Sequence, residues 1–335
     1  MKKICCVGHI THDKIITPRH TDHLSGGTAY YFAHGIARLP NPAFSLVTSV
    51  GEDDYKVIDE LRAIGTEVKL IPGNSTVIFE NAYGENSDHR TQRVLAKADP
   101  FKVEHLCDVH ADIFHLGSLL ADDFDPDLIR YLSTKGIVSL DVQGFLRRVE
   151  NTQVLACDWK EKTACLKYVD ILKVNEHEMH VLTGETEVLA AARRLHGWGV
   201  NEVVITEGSL GSFIYAEGKL VEIRAYPPLQ LADATGCGDT YMTGYLYKRA
   251  HGAGYREAGC FAAAMSTLKL EHFGPFSGTA ADILRRIDDR ELDMTCANIS
   301  IDFTKRKRGN RESLRCPRFL TSGHFTCAVT KIGNT

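Results

Sequence analysis

Short apolar segments alternate with amphipathic segments along most of the chain, and this alternation constrains the fold more than any other feature. KICCVG (3–8), FSLVTSVG (44–51) and ADIFHLGSLL (111–120) are apolar runs of strand length, typical of strands buried on both faces. Between them lie stretches with helical periodicity, such as DYKVIDELRAIG (54–65), which closes on a glycine. The alternation predicts a parallel-dominated sheet with helices on both faces.

Two parts of the chain depart from this pattern. The segments near 10–24 and 67–95 show period-two alternation, which favours hairpin-like antiparallel strands inserted into the α/β chain. Residues 299–335 contain the basic run KRKR and show little periodicity. We therefore interpret 1–298 as one α/β domain and 299–335 as a poorly ordered tail. Four adjacent basic residues are more typical of a solvated segment than of a nucleic-acid site.

Composition argues against several functional classes. The formal net charge of −4 carries no overall nucleic-acid signature, and none of the ten cysteines has C-x-x-C spacing. Cysteines scattered through apolar runs are typical of small buried residues in a reducing compartment. The first apolar run ends at Gly8, and no later run reaches the length of a membrane span. We therefore expect a cytoplasmic protein that binds neither nucleic acid nor a membrane.

The glycine-rich stretch DATGCGD (233–239) precedes a segment of helical character and is the first candidate site. Unpaired N–H groups at a helix start, together with the positive end of the helix dipole, attract anions. Gly236 and Gly238 allow close approach of a phosphate, although the Walker A spacing is absent and no lysine follows. Asp239 then has two interpretations: it caps the helix, or it acts as a general base beside the phosphate.

Two further motifs lie at the ends of predicted strands, where open α/β sheets bind ligands. ITEGSLG contains Thr206, Gly208 and Gly211 in the pattern T-x-G-x-x-G, which is typical of a tight hairpin as well as of a nucleotide site. LKVNEHEM places Asn175 and Glu178 three residues apart on one face of a helix. Such a pair most often faces solvent, but it also suits water-mediated binding of Mg²⁺.

Together, the three motifs resemble the PfkB carbohydrate kinase family, also called the ribokinase family. That family has N-x-x-E, T-x-G-x-x-G and a D-T-x-G-A-G-D-like motif in this order. The N-terminal half is also similar: GHITHD carries Asp13 near a strand end, SGGTAYYFA carries the pair Gly26 and Gly27, and SVGEDDY carries a G-x-D turn. The resemblance covers roughly residues 3–285.

The resemblance implies an α/β fold of the ribokinase type. This is a three-layer sandwich with a mainly parallel central sheet flanked by helices, plus a small β-sheet lid over the acceptor. The period-two segments at about 10–24 and 67–95 are where we expect the lid, which would exclude water from the reaction. Exposed lid strands often pair between subunits in relatives, so a homodimer through the lid is a further expectation.

The resemblance also implies roles for individual residues. The catalytic set consists of Asp239 as general base and an anion hole formed by the N–H groups of Gly236, Cys237 and Gly238. The acceptor-binding set is Thr11, Asp13, Gly26, Gly27 and Arg147. The set that binds ATP is Asn175, Glu178, Thr206, Gly208, Gly211 and Asp233. Within that set, Asn175 and Glu178 position Mg²⁺ through water, whereas Asp233 is also expected to order its own loop.

The implied cofactors are ATP and Mg²⁺. A site for a monovalent cation such as K⁺ beside residues 231–236 is common in the family. Its carbonyl ligands would leave no side-chain signature. Cys237 replaces the commoner alanine; as a thiol it is either a nucleophile or an inert packing residue, and the lack of a nearby histidine in the sequence favours packing.

The acceptor side departs from the commonest family pattern. Tyr31 stands where an asparagine is frequent. Where D-x-N-x-R is frequent, LDVQGFLRR has Gln143 at the asparagine position and Arg147 two residues later than the expected arginine. This variant, EHFGP and GGTAYY resemble the myo-inositol kinase branch, so the expected acceptor is a small sugar or polyol, with an inositol favoured. Asp141 and Arg147 have two interpretations, a structural ion pair or direct contact with the acceptor.

Three other functions stay open at this point. These alternatives are a nucleoside kinase, a sugar-phosphate kinase and a non-catalytic regulator that binds sugar or nucleotide. A phosphorylated acceptor would need additional cations in the lid, for which the candidates are Lys14, Arg19, Arg90 and Arg93. The intact Asp239 and its flanking glycines favour an enzyme over a regulator.

Overall fold

The computed structural model describes residues 1–18, 21–83 and 90–289. The predicted tail at 299–335 lies outside these residues, as do Arg19 and the side chain of Arg90. In the part that is described, every helix is too short or too polar to cross a bilayer.

The described strands fall into two sheets. In chain order they are β1 (Ile4–Gly8), β2 (Thr11–Ile16), β3 (Thr21–Gly26), β4 (Phe44–Val50), β5 (Glu67–Pro72), β6 (Ile78–Tyr83), β7 (Arg90–Ala96), β8 (Ile113–Gly117), β9 (Ile137–Asp141), β10 (Arg147–Glu150), β11 (Gln153–Ala156), β12 (Ile171–Asn175), β13 (Glu202–Thr206), β14 (Ser212–Ala216) and β15 (Lys219–Ile223).

The helices lie between these strands or follow them. They are α1 (Gly27–Ala37), α2 (Tyr55–Ala63), α3 (Val103–Leu106), α4 (Pro126–Ser133), α5 (Lys162–Leu166), α6 (Glu176–Thr183), α7 (Val188–Gly197), α8 (Cys237–Ala250) and α9 (Tyr255–Leu270). Short 3-10 turns cover 52–54, 143–146 and 208–210, and a further helical stretch covers 280–289.

The large sheet is mainly parallel and is covered on both faces. Its order is β15-β14-β13-β12-β9-β8-β1-β4-β5, and only the two contacts made by β14 are antiparallel. Alternate residues of β1 point to opposite faces: Cys6 packs with α1, α2, α8 and α9, whereas Cys5 packs with α3 to α7. These two apolar clusters explain why the strands are largely apolar on both faces. The predicted fold class is confirmed.

The second sheet is smaller, with the order β10-β11-β7-β6-β2-β3. Its core contains Val77, Phe79 and Val94, which pack against Leu119 and Leu120 from the segment after β8. The contact of β2 with β6 is parallel, and the other contacts are antiparallel.

The membership of this sheet differs from the sequence prediction at two places. Glu67–Pro72 pairs in parallel with β4 and forms the edge of the large sheet, so it is not part of the small one. Its alternating pattern indicates a half-buried strand. A parallel edge strand and a hairpin strand share this pattern, so the pattern does not distinguish between them. The hairpin of β10 and β11 was not predicted, and it extends the small sheet next to β7.

Candidate active site

The carboxyl ends of the parallel strands meet at one edge of the large sheet and place the predicted motifs together. Gly8 and Gly117 pair in register, Gly117 pairs with Asp141, and Asn175 pairs with Thr206. The edge is therefore lined by residues from five neighbouring strands. In open α/β sheets this edge is where ligands commonly bind.

Helix α8 begins at Cys237, two residues earlier than the sequence indicates, and Gly236 is its N-cap residue. Gly236 has φ +74, and a Cβ at this position would clash with the ring of Tyr31, so only glycine fits. Asp239 is consequently the third helical residue and makes no capping hydrogen bond. The interpretation of Asp239 as a helix cap is wrong, because the left-handed Gly236 occupies the cap position.

The helix start presents N–H groups toward this edge of the sheet. The N–H of Cys237 donates to the carbonyl of Ala234 at 3.2 Å, which closes the turn that precedes α8. The N–H groups of Gly238 and Asp239 belong to the first turn and have no acceptor within the helix. We call the N–H groups of Gly236, Cys237 and Gly238 the nest. The N–H of Gly238 is more available to an anion than that of Cys237, which is already bonded to Ala234.

Asp239 is half-buried, and its surroundings perturb its acidity. Burial and the negative charge of Asp141 raise the pKa of Asp239 to about 6, against smaller opposing effects of a hydrogen bond with Thr28 and of Lys173 and Arg147. Thr28 lies in the first turn of α1, immediately after Gly26 and Gly27. A carboxyl group with a pKa near neutrality suits proton transfer.

A buried ion pair lies beneath this helix start. Nζ of Lys173 is 2.9 Å from Oδ2 of Asp141, and both side chains are almost fully enclosed. A Cβ placed on Gly238 would be only 3.2 Å from the same Nζ, which locates the ammonium directly under the glycine-rich turn. Burial opposes the charge of Lys173, but Asp141, Glu178 and Asp239 outweigh it and keep the pKa of the lysine above its ordinary value.

Asn175 and Glu178 form a capping box at the start of α6. The N–H of Asn175 donates to Oε2 of Glu178, and the N–H of Glu178 donates to Oδ1 of Asn175, each at 2.8 Å. The pair does not face solvent, because Glu178 is buried beside Lys173. Burial raises the pKa of Glu178 despite that positive charge. The motif thus has a structural role at this helix end, whatever ligand it also contacts.

The T-x-G-x-x-G motif forms the turn between β13 and the antiparallel β14. Thr206 ends β13, Gly208 begins a 3-10 turn, and the N–H of Glu207 donates to the carbonyl of Gly211 at 2.8 Å. A hairpin turn is therefore one role of this motif. Its position next to Asn175 also brings it to the same edge of the sheet as the other motifs.

The expected acceptor-binding residues meet where β2, β3 and α1 join. Thr11 pairs with Gly26 across the small sheet. A Cβ on Gly26 would lie 2.9 Å from Oγ1 of Thr11 and 3.0 Å from Oδ2 of Asp13, so a side chain at this position would crowd these two polar atoms. Gly27 starts α1, and a Cβ there would lie 2.5 Å from the carbonyl of His9. We call this arrangement of Thr11, Asp13, Gly26 and Gly27 the polar shelf.

Tyr31 and Arg147 both interact electrostatically with Asp239. Tyr31 is buried against Gly236, and burial together with Asp233, Asp239 and Asp13 raises the pKa of its hydroxyl. Arg147 begins β10, and its charge acts on Asp239 as well as on Glu178.

Asp141 forms an ion pair with Lys173, and its Oδ1 accepts a hydrogen bond from the N–H of Gln143 at 3.1 Å. The ion-pair partner of Asp141 is thus Lys173, a residue that was not among those singled out from the sequence. Gln143 continues the chain from β9 into a 3-10 turn.

Asp233, in the loop before α8, and Cys237, the first residue of α8, have structural roles. Oδ1 of Asp233 accepts from the N–H of Thr235 at 2.9 Å, which orders the loop. Burial raises the pKa of Cys237 to about 11, so its thiol stays protonated at neutral pH. This favours the packing interpretation of Cys237, since the thiolate is the nucleophilic form.

The basic residues of the small sheet are already paired where the structure describes them. Lys14 lies 2.9 Å from Oε2 of Glu80, and Arg93 lies 3.5 Å from Oε1 of the same carboxylate. Arg93 also donates to Oγ1 of Thr152. A phosphorylated acceptor would have to compete with Glu80 for both cations.

The site has the donors for a water-mediated magnesium ion. Among the described residues, no group of three or more His, Cys, Asp and Glu side chains could hold a metal by itself. Mg²⁺ typically binds through one or two carboxylates, several waters and substrate phosphates. Asn175 and Glu178, at the same edge as the nest, fit that mode of binding.

The sequence interpretation missed two buried lysines. Lys173 lies in the strand ILKVN, and Lys269 lies in the last turn of α9. A lysine inside an apolar run signals a buried charge, and buried charges require partners. That signal was present in both segments, but the identities of the partners, Asp141 and Asp233, depend on the tertiary fold.

Comparisons with known proteins place this arrangement among sugar and nucleoside kinases. Residues 1–281 match the family described as pfkB family carbohydrate kinase. A cytidine kinase of Thermococcus kodakarensis is 28% identical over 261 residues, which cover 73% of this chain and 88% of that protein.

Two solved structures are similar over most of the chain. A sulfate complex of a pyrophosphate-dependent kinase in the ribokinase family is 28% identical with a TM-score of 0.76, covering 84% of this chain and 99% of that one. A complex of such a kinase with a pyrophosphate analog and myo-inositol is 26% identical with a TM-score of 0.74, again covering 84% and 99%.

Proposed function

The chain belongs to the pfkB family of carbohydrate kinases, and from this premise we propose that it transfers the γ-phosphoryl group of ATP to a hydroxyl of a small sugar or polyol, with an inositol favoured. The position of Asp239 carries the proposal. Asp239 lies in the first turn of α8, and its carboxyl group hydrogen-bonds Thr28, the residue that follows the polar shelf. A base in that place contacts an acceptor hydroxyl and a phosphoryl group at once.

The proposed reaction is an in-line displacement. Asp239 accepts the proton of the acceptor hydroxyl while that oxygen forms a bond to the γ-phosphorus. The bond between the γ-phosphorus and the bridging oxygen breaks, and its electron pair leaves with ADP. The N–H groups at the start of α8 and the buried ammonium of Lys173 stabilise the negative charge on the phosphoryl oxygens.

The remaining motif residues have supporting roles in this proposal. Thr206, Gly208 and Gly211 would contact the nucleotide from the turn after β13. Asn175 and Glu178 would hold a magnesium ion through water, and that ion would supply charge neutralisation at the phosphates.

Three observations favour an uncharged polyol as acceptor. Thr11 and Asp13 offer hydroxyl and carboxylate oxygens on the polar shelf, which suit hydrogen bonds to sugar or polyol hydroxyls. On the same sheet, Asn81 is buried and accepts from Nε2 of Gln92 at 3.0 Å, so further amide groups are present. The pairing of Lys14 and Arg93 with Glu80 argues against a sugar phosphate.

The small sheet would act as the lid, and it also offers a surface for a homodimer. β3 is an edge strand, and Thr21 to Ser25 are exposed along it. Exposed edge strands pair readily with another chain. Light scattering after size-exclusion chromatography would measure the assembly.

Pyrophosphate is the second candidate donor. The two similar solved structures belong to pyrophosphate-dependent kinases, and one contains myo-inositol. ATP is favoured by three exposed apolar side chains close to the loop before α8: Leu229, Leu231 and Phe273 are each more than three-quarters exposed. The N–H of Leu229 donates to Glu271, which joins the two segments that carry these side chains. An apolar surface beside the phosphates suits a nucleoside base and has no use in binding pyrophosphate.

A coupled assay with two donors and four acceptor classes tests the proposal. ATP and pyrophosphate would each be supplied with inositols, pentoses, hexoses and nucleosides, and product formation would be measured by mass. We expect turnover with ATP and an inositol or a related polyol. Turnover confined to nucleosides, as the relation to a cytidine kinase allows, would contradict the polyol assignment. Absence of turnover with every pair of donor and acceptor would favour a non-catalytic regulator.

A further inference from the structure

A buried ammonium occupies the loop where a monovalent cation is expected. Lys269 is enclosed in the last turn of α9, and its Nζ donates to the main-chain carbonyl of Asp233 at 2.7 Å and to Oδ2 of the same residue at 2.9 Å. Carbonyl and carboxylate oxygens are the groups that bind alkali and alkaline-earth cations. These two oxygens already bind a positive charge that belongs to the chain.

The surrounding backbone holds the ammonium in place. The N–H groups of Ala232 and Asp233 donate to the carbonyl of Leu270 at 3.0 and 3.2 Å, so the loop before α8 is fastened to the end of α9. The ring of Tyr31 lies 5.8 Å from Nζ of Lys269 on the other side. The same ring fills the space beside Gly236. Lys269, Tyr31 and the start of α8 therefore form one packed unit.

Charge also argues against a second cation on these oxygens. Burial alone would raise the pKa of Asp233, but the hydrogen bonds from Lys269 and Thr235 hold it below its ordinary value. The carboxylate is thus ionised and carries one negative charge, which the ammonium balances. A potassium ion on the same two oxygens would be repelled by Nζ at contact distance. The residues present do not fit a bound K⁺ at these atoms.

We propose that Lys269 replaces the monovalent cation in this protein, so that the loop at 231–236 is ordered without K⁺. Only the expected effect on the rate of phosphoryl transfer rests on the proposed kinase function; the ordering of the loop does not. Lys269 is a positioning residue: it acts on Asp233, which precedes the nest, and it does not contact the reacting atoms.

Two substitutions separate the charge of Lys269 from its volume. Lys269→Met removes the charge and keeps most of the volume, whereas Lys269→Ala removes both and opens a space for an ion. Arg249→Met is the matched control, because it breaks another partly buried ion pair, with Glu202, toward the far end of α8. Each protein is measured in potassium chloride and in tetramethylammonium chloride at equal ionic strength, by thermal unfolding and by the rate of phosphoryl transfer.

We expect the wild-type protein to unfold at the same temperature and to turn over at the same rate in both salts. Lys269→Ala should lose activity on the order of 10- to 100-fold in tetramethylammonium. It should regain much of that activity in potassium, with a rise in unfolding temperature. Lys269→Met should lose activity in both salts, since its side chain blocks the ion, and Arg249→Met should show no difference between salts.

Activation or stabilisation of the wild-type protein by potassium would overturn the proposal, and so would a Lys269→Ala protein that is indifferent to potassium in both measurements. The unfolding measurement does not depend on the kinase function. If no donor and acceptor pair gives turnover, the kinase function fails, while the potassium-dependent unfolding of Lys269→Ala still decides the role of Lys269.

Discussion

Nζ of Lys173 lies 2.9 Å from Oδ2 of Asp141, and each of these side chains is 6% exposed. The pair joins two adjacent parallel strands, β12 and β9, directly below Gly238. The glycine-rich turn has no lysine following it in sequence, but the fold supplies one from below. The site thereby gains a fixed positive charge without the Walker A arrangement.

Removing this lysine should affect both folding and catalysis. Lys173→Met leaves the carboxylate of Asp141 buried without its cation, which typically costs about 3–5 kcal/mol in the free energy of unfolding. Asp141→Asn together with Lys173→Met should cost less than the two single changes added, because no uncompensated charge remains. Urea unfolding of the four proteins measures this coupling. Additive effects would contradict a direct ion pair.

Replacement of the proposed base separates chemistry from binding. Asp239→Asn should reduce kcat by about 10²–10⁴-fold, because the amide cannot accept the proton of the hydroxyl. Nucleotide affinity, measured by calorimetry, should stay within a few-fold of wild type. Asp59→Asn, an exposed change on α2, is the matched control and should leave kcat unaltered. Near-wild-type turnover by Asp239→Asn would remove Asp239 from the mechanism.

The raised pKa of Asp239, about 6, predicts how activity depends on pH. The base works only when it is ionised, so kcat/KM should fall by about tenfold per pH unit below pH 6 and level off above pH 7. Initial rates between pH 4.5 and 8.5 at constant ionic strength measure the profile. A flat profile across pH 6 would contradict the assignment.

The same raised pKa of Asp239 has an opposite consequence for stability. An unfolded aspartate has a pKa near 3.9, so between about pH 4 and pH 6 the folded protein binds the proton more strongly than the unfolded chain does. This stabilisation is complete below pH 4 and is lost as the pH rises through 6. Asp239→Asn should therefore be more stable than wild type by about 1–2 kcal/mol at pH 8, allowing for partial solvent screening. Below pH 4 the two proteins should unfold at similar denaturant concentrations.

Local pattern was sufficient to predict the α/β class, the ends of the strands that hold the motifs, and the helix after the glycine-rich turn. It failed where the outcome depends on distant partners. Glu67–Pro72 alternates as a lid strand would, but it pairs with β4. Glu178 belongs to a motif whose spacing looks solvent-facing. It is instead buried beside Lys173, which β12 places under the start of α8. Spacing along the chain does not encode either relationship.

The polar shelf predicts a specific effect on the acceptor. Gly26→Ala would place a methyl group 2.9 Å from Oγ1 of Thr11 and 3.0 Å from Oδ2 of Asp13, where the acceptor hydroxyls are expected. The KM for the acceptor should rise by about tenfold or more, since a buried polar contact is lost, while the KM for the donor should not change. Gly197→Ala is the control, because a Cβ at that helical glycine contacts nothing within 4 Å. A parallel rise of both KM values would point to a general distortion of the site.

Two exposed apolar side chains near the loop before α8 allow a test that separates the two candidate donors. Leu231 and Phe273 are 78% and 83% exposed, on segments joined by hydrogen bonds between 229–233 and 270–271. If a nucleoside base packs on them, the double change Leu231→Ser and Phe273→Ser should raise the KM for ATP by about tenfold or more. Turnover with pyrophosphate, where it occurs, should not change, because that donor has no base to pack. Ile64→Ser, an exposed apolar change after α2, is the control for general surface effects. An unaltered KM for ATP would mean that the base binds elsewhere, and a wild-type protein that uses pyrophosphate in preference to ATP would make this surface irrelevant to the donor.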